Sequence, residues 1–198
     1  MYPYVEQVIG DKSTLDLYGK YWLDKVLEGF SDYPAGEKIL ETIRSGQVQV
    51  HLLENPSITA VAQYNTQTKY IEMRDATRVS ITTLSEELAH AVQHQRFYQS
   101  VMNTKYKNYE FEAKAFFDIA RAINGEVGLF LLPLGQESEF SGPYYDWMEE
   151  IERNKFFTNG DTLKFNKLCK LWIPLDGYGT EYLEGFNPQL LINYFKKP

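Results

Sequence analysis

Two carboxylates and two of the chain's three histidines fall in the stretch Thr83-Leu84-Ser85-Glu86-Glu87-Leu88-Ala89-His90-Ala91-Val92-Gln93-His94. Imidazole and carboxylate groups at this spacing can bind a divalent metal or move a proton. On a helix advancing about 100° per residue, Glu86, Glu87, His90 and His94 share one arc about 100° wide. Ile81, Leu84, Leu88, Ala91 and Val92 share another, which is all a surface helix needs to bury itself. The polar arc is therefore either a site or a hydrogen-bonded helix face.

The elements that position this arc can be read from hydrophobic periodicity. Leu15, Tyr18, Trp22, Val26 and Leu27 recur at helical spacing over residues 14–30, with Gly29 as a stop, and a second helix covers Ala35 to Arg44. The period then shortens. Gln47 to Leu52 alternates polar and apolar, and Ile58 to Tyr64 and Thr68 to Met73 read as two more strands joined by the turn Asn65-Thr66-Gln67. His51, the third histidine, stands on a strand without neighbouring ligands and reads as structural. The polar-arc helix runs from about Ile81 to Tyr98, and a loop through Asn103-Thr104-Lys105 leads to a helix over Tyr109 to Asn124. Residues 126–141 are apolar and then loop-like. Helices follow at Tyr144 to Arg153 and Asp161 to Trp172, then an irregular, glycine-bearing stretch from Pro174 to Gly185, then a short helix from Asn187 to Phe195. The expected class is α+β, in a single domain spanning 1–198.

Glu86-Glu87-Leu88-Ala89-His90 resembles the zincin motif H-E-x-x-H, with Glu86 in place of the first histidine. In that motif residues i and i+4 lie one turn apart and bind one zinc, and the Glu between them takes a proton from the metal-bound water. The resemblance to a gluzincin-like metallopeptidase domain covers about 47–125 and includes the hairpin before the helix and Glu110-Phe111-Glu112-Ala113 after it. Residues 126–198 form a helical C-terminal part outside it. It implies a small antiparallel sheet whose last strand, Lys69 to Met73, borders a cleft and pairs with a peptide substrate by β-augmentation. It also implies Glu87 as catalytic base, with Glu86, His90 and a downstream Glu as metal ligands.

Which downstream Glu is a question of helical phase. Glu110 falls with Lys114, Asp118 and Arg121, expected to be a solvated face. Glu112 falls between Ile119 and Ile123 in line with Phe116, as the only charge on the apolar side. A lone carboxylate there is costly unless protonated, paired or metal-bound, although a place near the helix start can also satisfy it. Glu112 is therefore the preferred third ligand. Zinc is the expected metal, and a ligand set of two carboxylates and one imidazole is hard enough to admit manganese, magnesium or calcium.

Other registers were open. His90-Ala91-Val92-Gln93-His94 also has i, i+4 spacing but puts Ala91 at the base position, so His94 is read as accessory or substrate-facing. The Glu87-to-His90 spacing also matches the E-x-x-H of di-iron bundles, but a second such motif is missing. Tyr178, Tyr182 and Tyr194 are candidates to steady an oxyanion, and Leu175-Asp176-Gly177-Tyr178-Gly179 reads as a loop. Three functions follow: a metal-dependent hydrolase, a catalytically silent zincin-like module that binds peptide or protein, and a helical protein whose Glu/His face is structural.

Composition limits the partners. A net charge of −7 and a pI near 5.1 argue against nucleic acid. No apolar run approaches the roughly 20 residues of a membrane-spanning helix, and Met1-Tyr2-Pro3-Tyr4-Val5-Glu6 lacks the blocks of a signal peptide. The single Cys169 excludes an internal disulfide and reads as a buried thiol. The cytoplasm is the default expectation, and the oligomeric state is left open.

Overall fold

A computed structural model describes residues 2–8, 14–99, 102, 105–126, 130, 132–174 and 179–197. They divide into two compact units, 1–99 and 100–198. The class is α+β, mostly helical with one small sheet.

The first unit holds α1 (Val5–Val8), α2 (Leu17–Ser31), α3 (Pro34–Arg44), β1 (His51–Glu54), β2 (Ala62–Tyr64), β3 (Tyr70–Met73) and α4 (Ile81–Val92). Helix α2 begins where the Asp16 side chain accepts the Gly19 amide, and Ser80 caps α4 by accepting the Thr83 amide. Helix α3 starts with Pro34, whose missing N–H is unneeded in a first turn. Helix α2 buries Leu23, Val26, Leu27 and Phe30, and leaves Tyr18 and Trp22 at the surface, unlike the phase expected for it. The Trp22 indole N–H donates to the Val79 carbonyl, which holds that ring at a polar boundary.

The sheet differs from the expected antiparallel one. Its order is β1-β3-β2, with β1 parallel and β2 antiparallel to β3. Strand β3 is thus the middle strand, its backbone groups paired on both sides. It has no open edge, and a peptide cannot add to Lys69–Met73 by β-augmentation. The expected strands shrink to three or four residues. Val48 and Val50, read as part of the first strand, are buried just before β1. Between β2 and β3 the chain turns through Asn65, whose side-chain oxygen accepts the Gln67 and Thr68 amides.

The helix expected to continue to Tyr98 changes winding after Val92. Gln93–Tyr98 is π-helical. Such insertions recur at functional positions and re-aim the side chains that follow.

The second unit is helical: α5 (Lys107–Ile123), α6 (Ser138–Asn154), α7 (Asn159–Leu171) and the short α8 (Gln189–Tyr194). Helix α5 packs against the other three. Phe111 on α5 meets Phe140, Tyr144, Phe165 and Trp172, mostly edge to face. A capping box closes the start of α7. The Thr158 amide donates to Asp161 Oδ2 at 2.7 Å, and the other oxygen of Asp161 accepts the Trp147 indole N–H at 2.7 Å. Among the described residues, no helix is long and apolar enough to cross a membrane.

Candidate metal centre

Helix α4 carries both faces read from the sequence. Leu84, Leu88, Ala91 and Val92 are buried in the core. On the other face Glu86 and His90 are half-buried, and Glu87 is buried. His90 Nδ1 lies 2.8 Å from Gln93 Oε1. An amide oxygen can only accept, so this contact places the ring proton on Nδ1. Gln93 is fully buried, which fixes the orientation of the ring. The sequence signal for it was the i, i+3 spacing within His90-Ala91-Val92-Gln93.

Glu86 and His90 stand one turn apart on this side of α4, and a carboxylate and an imidazole are donors that divalent cations accept. The two downstream carboxylates, Glu110 and Glu112, stand on α5 in the second unit. Glu110 is buried in the first turn of α5, and Lys114 one turn on is paired with it at 3.1 Å. The face expected to be solvated is not: Asp118 is also fully buried, and its Oδ2 accepts the Leu132 amide at 3.2 Å and the Tyr144 hydroxyl at 3.0 Å.

Glu112 is satisfied elsewhere. Its Oε1 accepts the Leu190 amide at 2.8 Å and the Leu191 amide at 3.4 Å. These are first-turn N–H groups of α8, which have no partner inside their own helix. A carboxylate at a helix N-terminus also faces the positive end of the helix dipole. The cost of burying Glu112 is met by this capping, so its isolation on an apolar face does not require a metal.

Glu87, the expected base, is oriented by a residue the sequence did not single out. The Tyr64 amide donates to Glu87 Oε2 at 2.6 Å. Asn65 and Val61 pair with β3 through their backbone. Alternation along the strand then turns the Tyr64 N–H away from β3, toward α4. At its other end, the Tyr64 hydroxyl lies 3.2 Å from His94 Nδ1 and accepts from Gln95 Nε2 at 2.9 Å. Burial pushes the Tyr64 phenol up to about 12, partly opposed by the Gln95 hydrogen bond. His94 Nδ1 also lies 3.3 Å from Lys69 Nζ. Burial, and then the Lys69 charge, lower the His94 pKa.

The remaining candidates are placed as follows. His51 stacks at a tilt on Tyr70, with ring centroids 5.2 Å apart. Tyr182 donates to Asn166 Oδ1 at 3.0 Å, and Tyr194 is buried with its ring 5.9 Å from that of Phe116. Tyr178, most of the Leu175–Gly179 loop, and Asn103 and Thr104 lie outside the described residues. Cys169 is fully buried, and burial pushes its thiol up to about 12, as suits a structural cysteine. A groove of about 570 Å³ lies between α6 and α7, lined by Pro143, Trp147, Leu168 and Leu171, and includes none of the candidate residues.

Comparison with protein-family models, curated proteins and solved structures finds no match. The resemblance to zincins is therefore carried by the motif alone.

Proposed function

We propose that this chain is a metal-dependent hydrolase, with peptides as the first substrate class to test. The observation that supports the reading is the gathering of Glu86, Glu87 and His90 on one side of α4, with the His90 ring held by Gln93. A divalent ion held there would supply Lewis acidity toward a carbonyl and toward water. Zinc suits the imidazole, and the carboxylate extends the range to manganese, magnesium and calcium. Gln93 takes the protonated Nδ1 of the His90 ring and so holds its orientation. Glu87 is the proton acceptor, aimed by the Tyr64 amide on one of its oxygens.

The same hydrogen bond favours a second reading. An amide 2.6 Å from Oε2 stabilises the ionised carboxylate and so weakens it as a base. A carboxylate in place of the first histidine also reduces the acidity of the metal compared with a two-histidine site. A module that binds metal and peptide without turnover follows from these two features.

Elemental analysis and metal titration of protein loaded with zinc or manganese test the site. One equivalent of metal is expected, lost in Glu86→Gln and His90→Ala. Absence of metal under replete conditions ends both readings. A peptide-library digest then compares wild type with Glu87→Gln. Cleavage that the variant lacks supports the hydrolase, and absence of cleavage by either protein supports the silent module.

A further inference from the structure

The turn from β2 to β3 ends on Lys69, whose φ is +65°. The Lys69 amide donates to the Asn65 carbonyl, closing a turn whose last residue is left-handed. Glycine or asparagine holds such a position at low cost, and a long side chain does not. Strain of this kind is kept where the side chain has a task. Here the backbone delivers the ammonium beside α4. Nζ donates to the Thr66 carbonyl at 2.6 Å and lies 3.3 Å from His94 Nδ1. Lys69 makes no ion pair among the described residues, despite being half-buried in a chain of net charge −7.

His94 completes the arrangement. Its Nδ1 faces two donors, the Tyr64 hydroxyl and the Lys69 ammonium, so Nδ1 is the acceptor and the ring proton sits on Nε2. The third ammonium N–H and the His94 Nε2–H are donors without a partner among the described residues. Two unmet donors, one of them charged and neither balanced by a carboxylate, are suited to an anion. Tyr64 ties this cluster to the proposed base, since its amide holds Glu87 and its hydroxyl reaches His94.

We propose that Lys69 and His94 bind a carboxylate of the substrate, held one tyrosine's length from Glu87. The inference deepens the hydrolase reading, since it names the substrate class of that same site. The carboxylate can be a peptide C-terminus or an acidic side chain.

Three dansyl-labelled alanine hexapeptides serve as probes: a free acid, a C-terminal amide, and a C-terminal amide carrying one internal Glu. Their binding to metal-loaded protein is read by fluorescence anisotropy. At least one carboxylate-bearing peptide should bind about tenfold more tightly than the neutral amide, the size of one charge-assisted hydrogen bond. Which of the two does so identifies the source. Lys69→Gly should abolish the preference and, by relieving the left-handed lysine, raise the melting temperature. Lys69→Arg should keep it. Equal binding of all three peptides, no binding by wild type, or a preference that survives in Lys69→Gly overturns the proposal. Metal content is measured on the same samples. A carboxylate preference without metal sinks the hydrolase alone, and bound metal without a preference sinks this inference alone.

Discussion

Glu112 allows fold and site to be separated by one substitution series. Glu112→Ala removes the acceptor of two α8 amides, and Leu190 and Leu191, which carry them, are fully buried. The 2.8 Å bond to a charged acceptor is worth about 2 kcal/mol, and the 3.4 Å bond a fraction of that. Helix α8 has only six residues and cannot hold its own first turn. A loss of about 3 kcal/mol is expected, read as a lower urea midpoint or a melting temperature reduced by roughly 6–12 °C. Glu112→Gln keeps an oxygen acceptor and loses only its charge, so about 1 kcal/mol is expected. Neither variant should change the metal stoichiometry of the folded protein, whereas His90→Ala should reduce it. Refutation would be a folded Glu112→Gln protein that no longer binds metal, or a Glu112→Ala protein as stable as wild type.

Two further outcomes follow from the α4 side chains. Gln93→Leu preserves volume in a fully buried position but removes the acceptor for His90 Nδ1–H, and should weaken zinc binding about 10–100-fold by titration; unchanged affinity would remove Gln93 from the site. The His94 pKa is lower in the folded protein than its ordinary 6.5, so the unfolded chain binds the proton more readily. Stability from this group is present above about pH 6.5 and is lost as pH falls through the folded value. Urea midpoints should therefore decline over that window in wild type, next to Lys69 and Tyr64, and decline less in His94→Asn. An identical slope in the variant contradicts the assignment.

Local chemistry made part of this protein legible without coordinates. Apolar spacing marked α3, α4 and α5, because a helix face must be buried whatever it packs against. The turn between β2 and β3 was marked by Asn65, whose side chain completes its own hydrogen bonds. The approach of Glu86 and His90 needed only the pitch of one helix. Other features depended on partners distant in sequence. Local pattern places β3 at an edge, because strand order is set by pairing with β1, some 19 residues away in register. Glu112 reads as a ligand because its isolation on an apolar face is visible in the sequence, while the α8 amides that satisfy it lie 78 residues on. Glu110 and Asp118 read as solvated for the converse reason. Periodicity shows which residues share a face and not which polar groups will meet it. The sequence by itself determined that α4 carries Glu86, Glu87 and His90 on one side. Tertiary structure decided the amides that satisfy Glu112, the amide that aims Glu87, and the lysine held beside His94. Hydrogen-bond partners for buried polar groups are chosen by packing, which no local rule contains.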